Sequence, residues 1–245
     1  GDGDLDLFVS SIFDNDCPEG DQCFWGTTGN RLFRNEGNRR FVDVTEAQGL
    51  LDGGWAWGTR FFDYDLDGDL DLIQVNGTRG AWPETGFDNE NLRLFRNDGD
   101  RFSEVALELG LIDRGIGRAV VPFDADRDGD LDLLITHNMG SPHFWRNEAA
   151  EGRSWLRVKP QGTISNRDGM GAVVRVWTRA GAPPMVRHAG NGCGFLGQSE
   201  GTPHFGLGDV ERVHRVEVYW PATDQRQAFE NVDARQELLV IEPRL

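Results

Sequence analysis

Short apolar runs separated by turn residues extend along the whole chain, and their lengths are those of β-strands. Apolar, β-rich runs follow two acidic clusters, and shorter runs flank the turn at residues 97–100. Helical patterning covers at most single turns, over residues 45–49 and 104–110. The pattern therefore predicts an all-β fold. The clearest predicted strands in this part of the chain are residues 70–75, 93–96, 101–105 and 131–136.

An acidic segment repeats with an offset of 61 positions. Residues 63–72 read DYDLDGDLDL, and residues 124–133 read DADRDGDLDL. The motif LFRN at 32–35 recurs at 94–97 and, in degenerate form, as FWRN at 144–147. The opening letters GDGDLDL align with the second half of the acidic segment, so we expect the sequence to begin inside a repeat, with further repeats upstream.

The repeat unit has the size of a propeller blade. About 60 residues with roughly four short strands cannot bury both faces alone, so neighbouring repeats must stack. The repeat stops after Asn147, and a different β-rich unit follows. We therefore predict a partial β-propeller of about two and a half blades over residues 1–148, and a small β-rich tail domain over residues 149–245. The predicted tail strands are residues 154–159, 172–178, 215–220 and 238–241.

The repeated acidic segment has the spacing of a calcium loop. Calcium takes six to eight oxygen ligands at roughly 2.3–2.6 Å. In the pattern D-x-D-x-D-G-x-x-D, carboxylates at positions 1, 3, 5 and 9 can surround one ion, and glycine at position 6 permits the sharp turn. Position 7 offers its backbone carbonyl, so the side chains of Asp69 and Asp130 are expected to face solvent. The predicted calcium-binding residues are Asp63, Asp65, Asp67, Asp69 and Asp71, then Asp124, Asp126, Asp128, Asp130 and Asp132, and Asp2, Asp4 and Asp6 in the partial copy.

The charge of the chain supports a bound cation. The net charge is -16 at pH 7, and the first 148 residues carry 30 acidic but only 13 basic side chains. Five carboxylates within nine residues repel one another unless a cation lies among them. Arg127 is the one basic residue within either full loop. Nucleic acid and anionic membrane are poor partners for such a surface.

An EF-hand shares the opening D-x-D-x-D-G, but it needs Glu at position 12 and a helix on each side. Here Gln74 and Ile135 hold position 12, and the flanking runs are β-like. The EF-hand interpretation is therefore rejected.

The loops and the LFRN motif resemble the FG-GAP/VCBS repeats of integrin-type β-propellers. The tail resembles the ASPIC/UnbV domain through NRDGMGA at 166–172, GQS at 197–199, HFGLG at 204–208 and VEVYWP at 216–221. Together they resemble the cartilage acidic protein family and its bacterial relatives. That resemblance implies a secreted or periplasmic calcium-binding protein with a role in adhesion, and a protein or glycan partner at the cell surface or in the matrix. For the tail it implies no settled activity.

Two other functions stay open. The tail could contribute to a biosynthetic reaction, which would require convergent polar groups near His204, Asp168 and Cys193. The chain could instead be a purely structural segment of a larger surface protein. Because no nucleophile–base pairing is visible, we predict a binding module and not an enzyme. No apolar run reaches the roughly 18 residues of a membrane span.

The sequence leaves open whether two cysteines form a disulfide and whether four tryptophans bind a ligand. Cys17 and Cys23 lie in a polar loop and could form a disulfide, which would leave Cys193 over. Four tryptophans could form a ligand-facing surface or pack between blades. These are Trp25, Trp55, Trp57 and Trp82.

Overall fold

The computed structural model describes residues 4–14, 28–78, 87, 89–190 and 192–244. Within these ranges every named element is a β-strand, which confirms the all-β prediction. The same residues contain no helix long and apolar enough to cross a membrane. Several residues named above fall outside them: Asp2, Cys17, Cys23, Trp25, Trp82 and the side chain of Cys193.

Three antiparallel sheets occupy the acidic part of the chain, and we call them the three blades. In each blade, consecutive strands pair in chain order, as in a propeller. The first blade contains β1 (Leu7–Val9), β2 (Arg31–Asn35) and β3 (Phe41–Asp43); the second contains β4 (Ala56–Phe62), β5 (Asp71–Asn76), β6 (Arg93–Asn97) and β7 (Phe102–Glu104); the third contains β8 (Gly117–Phe123), β9 (Asp132–His137) and β10 (His143–Trp145).

The blades stack through shared apolar cores. Every residue of β5 is buried, because this strand lies between the neighbouring blades. Ile73 packs with Val120 and Ile135 of the third blade, whereas Leu72 packs with Leu50 beside the first blade. None of the sheets formed by the described residues closes on itself, so the arrangement is an open stack of blades.

The tail domain contains two larger sheets and a small hairpin. The first sheet places β11 between an antiparallel and a parallel neighbour, in the order β16-β11-β19, and the second has the order β13-β12-β17-β18. Leu156, Phe205 and Trp220 fill the core between them. The strands are β11 (Ser154–Gln161), β12 (Val173–Trp177), β13 (Met185–His188), β14 (Cys193–Gly194), β15 (Gly197–Gln198), β16 (His204–Gly208), β17 (Arg212–Trp220), β18 (Gln225–Asp233) and β19 (Gln236–Ile241).

The strands β4, β8 and β18 have no clear sequence signal, for two different physical reasons. The first strands of the second and third blades pack closely, and a Cβ on Gly58 of β4 would lie 2.3 Å from the carbonyl oxygen of Arg118 in β8. Close packing therefore places glycine and arginine where a strand pattern would have apolar residues. Strand β18 is polar because it forms a sheet edge with much of its length exposed.

A buried carboxylate after the last strand holds the loop that follows β11. Glu242 is 2% exposed, and its Oε2 accepts the backbone N–H groups of Thr163, Ile164 and Ser165 at 2.7–2.9 Å. Its Oε1 accepts the hydroxyl groups of Ser165 and Thr223. Burial alone would raise the pKa of Glu242, but these hydrogen bonds outweigh it and lower the pKa to about 2.

We expect Glu242→Gln to destabilise the protein at pH 7 by about 1–3 kcal/mol, because an amide NH2 would face groups that are themselves donors. The wild-type carboxylate stabilises the fold fully above pH 4.5 and loses this contribution as pH falls toward 2. The gap in melting temperature between variant and wild type should therefore narrow at pH 3. Glu211→Gln, at an exposed position, is the control and should change little. Equal melting temperatures for Glu242→Gln and wild type at pH 7 would contradict the stabilising role of the Glu242 carboxylate.

Candidate metal-binding site

The two full aspartate loops have the same backbone shape. Each joins the first and second strands of its blade, and glycine at position 6 has a φ of 102° in both, at Gly68 and Gly129. Position 4 is also left-handed, with φ of 58° at Leu66 and 66° at Arg127. This double turn curls the chain, so that side chains from distant positions of the loop converge.

Each loop brings three carboxylates together. Oxygens of Asp63, Asp65 and Asp71 lie within 4.8 Å of one another, which unites positions 1, 3 and 9 of the first loop. In the second loop the corresponding cluster is formed by positions 1, 3 and 5. Its members are Asp124, Asp126 and Asp128.

The last aspartate of each loop also holds the asparagine of the LFRN motif. Asp71 Oδ1 accepts the backbone N–H of Asn97 at 2.8 Å, and the Asn97 side chain donates to the Leu70 carbonyl at 3.1 Å. The same two contacts occur in all three repeats, which explains why LFRN and the loop recur together. The equivalent residues are Asn147, Asp132 and Leu131 in the third repeat, and Asn35, Asp6 and Leu5 in the first.

Burial makes two carboxylates of the first loop costly to ionise. Asp63 and Asp71 are 1% and 0% exposed. Burial, with neighbouring carboxylates adding to it, raises the pKa of Asp63 to about 7, and burial raises the pKa of Asp71 to about 8 despite its backbone hydrogen bonds. A divalent cation among these groups would favour their ionised forms.

The donor set fits calcium. Oδ1 of Asp65 and Oδ1 of Asp124 are buried, and neither has a hydrogen-bond partner among the described residues. Buried acceptors without a donor are rare in folded proteins, and a bound ion is one of the ways to satisfy them. Clustered carboxylate and carbonyl oxygens are the ligands that calcium prefers. The four aspartates at positions 1, 3, 5 and 9 would hold the ion, with a carbonyl from position 7.

The two position-7 aspartates differ from each other. Asp69 is exposed, as expected for a residue that contributes only its backbone. The expectation for Asp130 was wrong, because its side chain is 6% exposed. The adjacent Gly129 is packed beneath Trp155 of the tail, so this loop is covered where the first loop is open. Burial and nearby carboxylates raise the pKa of Asp130 to about 7.

The partial copy at the start of the chain is more open than the full loops. Asp4 and Asp6 are both exposed, and the contact from Asp6 to Asn35 places Asp6 at position 9. Asp67 and Asp128, at position 5 of the full loops, are also exposed.

The tail domain docks directly on the first loop. The backbone N–H of Gly206 donates to Asp63 Oδ2 at 3.1 Å, and that of Gly208 donates to the Leu66 carbonyl at 2.7 Å. The Arg187 guanidinium donates to the Gly68 carbonyl at 3.3 Å. The loop therefore belongs to a blade and to the interface with the tail at the same time.

The second loop is contacted by the tail in a similar way. His204 Nε2 donates to the Gly129 carbonyl at 2.8 Å, and Arg157 Nη1 lies 3.3 Å from Asp124 Oδ2. Arg146 of the degenerate LFRN motif lies 3.0 Å from Asp126. From the sequence, only Arg127 could be placed near the loop, because the other basic groups come from distant parts of the chain.

A cavity of about 160 Å³ lies at the same interface, between Asp63, Arg157, Arg187 and His204. Burial lowers the pKa of His204 to about 4, so its ring is neutral at pH 7. Asp168 does not line this cavity, so the polar grouping required by the enzymatic hypothesis is not assembled by its described members.

The described tryptophans pack against neighbouring groups. Trp55 is 6% exposed and contacts Phe87 edge-on at 5.3 Å. The Trp57 ring lies 4.0 Å from the Arg118 guanidinium and 5.3 Å from the Phe195 ring. These two rings therefore contribute to packing between blades and against the tail.

Comparison with known protein families agrees with this architecture. The family model for the FG-GAP-like repeat matches residues 1–73, and the model for ASPIC and UnbV matches residues 162–244. Residues 1–73 are therefore similar to FG-GAP-like repeats, and residues 162–244 are similar to the ASPIC/UnbV domain.

The curated relatives share one name, cartilage acidic protein 1. The protein from Homo sapiens is 28% identical over an alignment 270 residues long. This alignment covers 87% of this chain and 40% of the human protein. Those from Mus musculus and Xenopus tropicalis are also 28% identical, and each match covers 78% of this chain and 38% of the relative. The chain thus spans about two fifths of the length of these relatives.

We expect Gly206→Ala to weaken the contact between tail and blade, because its Cβ would lie 2.2 Å from Asp63 Oδ2 and 2.5 Å from the Leu66 backbone. Overpacking of this kind costs about 1–3 kcal/mol, which thermal melting would detect. Gly194→Ala, whose nearest neighbour would be 3.3 Å away, is the control and should cost less. A Gly206→Ala variant with wild-type stability would contradict this interface.

Proposed function

We propose that this chain is a calcium-stabilised extracellular binding module, in which calcium has a structural role. The observation that carries the proposal is the convergence of three carboxylates in each loop, where one buried oxygen, Oδ1 of Asp65 or of Asp124, has no hydrogen-bond partner among the described residues. Each cluster lies where a blade meets the tail domain. A cation bound there would stabilise the loop and the interface together.

The extracellular location rests on the relatives and on calcium chemistry. The relatives are named for cartilage, a tissue with an abundant extracellular matrix. Extracellular calcium modules typically bind with dissociation constants of about 10⁻⁴–10⁻³ M, which match the calcium supply outside cells. With calcium at 100 times its dissociation constant, each site would add about 2.7 kcal/mol of stability. The rigid blade surfaces would then contact a protein or glycan partner at the cell surface or in the matrix.

The exposed face of the first blade supports a further blade of the same protein as its neighbour. Leu5 precedes the first strand, Leu7 and Val9 alternate along it, and all three are exposed by 45% or more. Phe8 on the opposite face packs against Phe61 of the second blade at 5.9 Å. An apolar strand face of this kind is the surface on which an additional blade would stack.

The first test is calorimetric titration of the chelator-stripped chain with calcium, combined with melting curves. We expect at least two sites and a calcium-dependent rise in melting temperature. Asp65→Asn and Asp126→Asn should each remove one site, because each replaces a carboxylate of one cluster. Asp69→Asn is the matched control, since it removes the same charge at a position that offers only its backbone, and it should keep the stoichiometry.

Two results would contradict the proposal. The first is the absence of calcium binding and of thermal stabilisation in the wild-type chain. The second is equal stoichiometry in Asp65→Asn, Asp126→Asn and wild type, which would place any bound calcium outside the aspartate loops.

The stability of the metal-free protein should also depend on pH. The pKa values of Asp63 and Asp71 are raised to about 7 and 8, well above the ordinary aspartate value of 3.8. The folded protein then holds protons that the unfolded chain has released, so its stability should fall as pH rises above about 4 and level off above about 8. Calcium would replace those protons and remove the fall. Melting temperatures at pH 6 and pH 8.5, with chelator and with calcium, measure this, and a flat profile in chelator would contradict it.

A further inference from the structure

A second cluster of metal-ligating side chains lies on the third blade, at the edge opposite its aspartate loop. Asp113 precedes β8, His137 ends β9, and His143 begins β10. Donor atoms of all three lie within 4.8 Å of one another. The loop at residues 124–131 joins the other ends of β8 and β9, so this cluster is separate from the calcium loops.

The hydrogen bonds of His137 leave two ways to account for its contact with Asp113. Its Nδ1 lies 2.8 Å from the Ser141 carbonyl, which can only accept, so Nδ1 must carry the proton. Its Nε2 lies 2.8 Å from Asp113 Oδ1, which is also an acceptor. Nε2 therefore faces Asp113 Oδ1 either as a second N–H donor or as a lone pair that shares a cation with the carboxylate.

His143 completes a three-sided arrangement around Asp113. Its Nδ1 lies 2.9 Å from Asp113 Oδ2, and the two imidazole centroids are 4.5 Å apart. The side chains of Asp113 and His137 are 3% and 2% exposed, whereas that of His143 is 49% exposed. Two ligands are thus held rigidly, and the third can adjust.

The preceding repeat shows which of these features belong to the scaffold. Asp52 accepts the N–H of Gly54 at 3.1 Å, as Asp113 accepts that of Gly115 at 3.0 Å. This turn is therefore common to both blades. The two histidines are additions of the third repeat, because the equivalent positions hold Asn76 and Arg93.

Glycine at position 115 makes room for the added ring. A Cβ there would lie 2.2 Å from Cδ2 of His137. Both histidines line an open cleft of about 420 Å³, together with Thr78, Arg114 and Asn138. A ligand bound at the cluster is therefore accessible from solvent.

We propose that Asp113, His137 and His143 form a binding site for a divalent transition metal, for which zinc is the appropriate probe. Two imidazole nitrogens and one carboxylate oxygen are a donor set that suits zinc, whereas calcium requires a shell of oxygens. The bond from His137 Nδ1 to the Ser141 carbonyl is the outer contact that orients a metal-ligating histidine. Tetrahedral coordination needs donor atoms about 3.3 Å apart, so the present contacts would open by about 0.4–0.5 Å.

The test is calorimetric titration of the full chain with Zn²⁺ in saturating calcium, so that the aspartate loops are occupied by the competing ion. We expect one zinc per chain. Removal of an outer contact typically weakens metal affinity 10–100-fold, so the loss of a direct ligand in His143→Ala should cost more than about 100-fold. His214→Ala, at an exposed position in β17, is the matched control and should bind zinc like the wild type.

A second measurement guards against a variant that fails to fold. Circular dichroism and melting curves would establish that His143→Ala is folded, and His143→Gln would replace it if it is not. Zinc should also raise the melting temperature of the wild type and of His214→Ala, but not that of the His143 variants. The proposal is overturned if the wild type binds no zinc in calcium. It is equally overturned if a folded His143 variant keeps wild-type affinity, or if Asp65→Asn and Asp126→Asn abolish the binding.

Discussion

A carboxylate shielded from solvent needs a donor or a cation beside each oxygen, and Asp63 is placed under this constraint where blade and tail meet. Its Oδ2 receives the N–H of Gly68 from its own loop and that of Gly206 from the tail, at 3.0 and 3.1 Å. One oxygen therefore fixes the turn and positions the tail domain. Any group that changes the charge of Asp63 acts on both contacts at once.

The aspartate at position 9 of each loop also links two parts of the structure. Asp71 and Asp132 each accept two backbone N–H groups, one within the loop and one from the asparagine of the LFRN motif at or just after the end of the next strand. These hydrogen bonds account for both oxygens, although a carboxylate has lone pairs left for an ion. Position 9 thus couples the loop to the outer part of its own blade, whereas position 1 couples it to the tail.

The repeated scaffold could be predicted from the sequence because its signals are local. The 61-residue offset, the glycine at position 6 and the apolar runs after the loops each correspond to a feature of the structure, namely the blade, the left-handed turn and the second strand. The strand β18 could not be predicted, because a polar edge strand has no apolar pattern to detect.

The environment of the candidate sites could be predicted less well, because it depends on residues that are distant in the sequence. Asp130 was expected to face solvent, but the tail covers its loop through Trp155 and His204. The cluster of Asp113, His137 and His143 likewise joins three positions that have no ligand spacing in sequence. Only the pairing of β8, β9 and β10 brings them together, so no local motif could have indicated this site.

The guanidinium groups around the loops change the expected balance of charge. Arg153 lies 3.8 Å from Asp65, Arg157 lies 3.3 Å from Asp124, and Arg146 lies 3.0 Å from Asp126. Each offsets part of the repulsion that a bound cation would otherwise relieve, so the carboxylate count overstates how strongly the loops require calcium. An ion entering the second loop must compete with Arg157 for Asp124. Under the proposed function, this competition would place the calcium affinity at the weak end of the range for extracellular modules, which would suit an environment where calcium is permanently abundant.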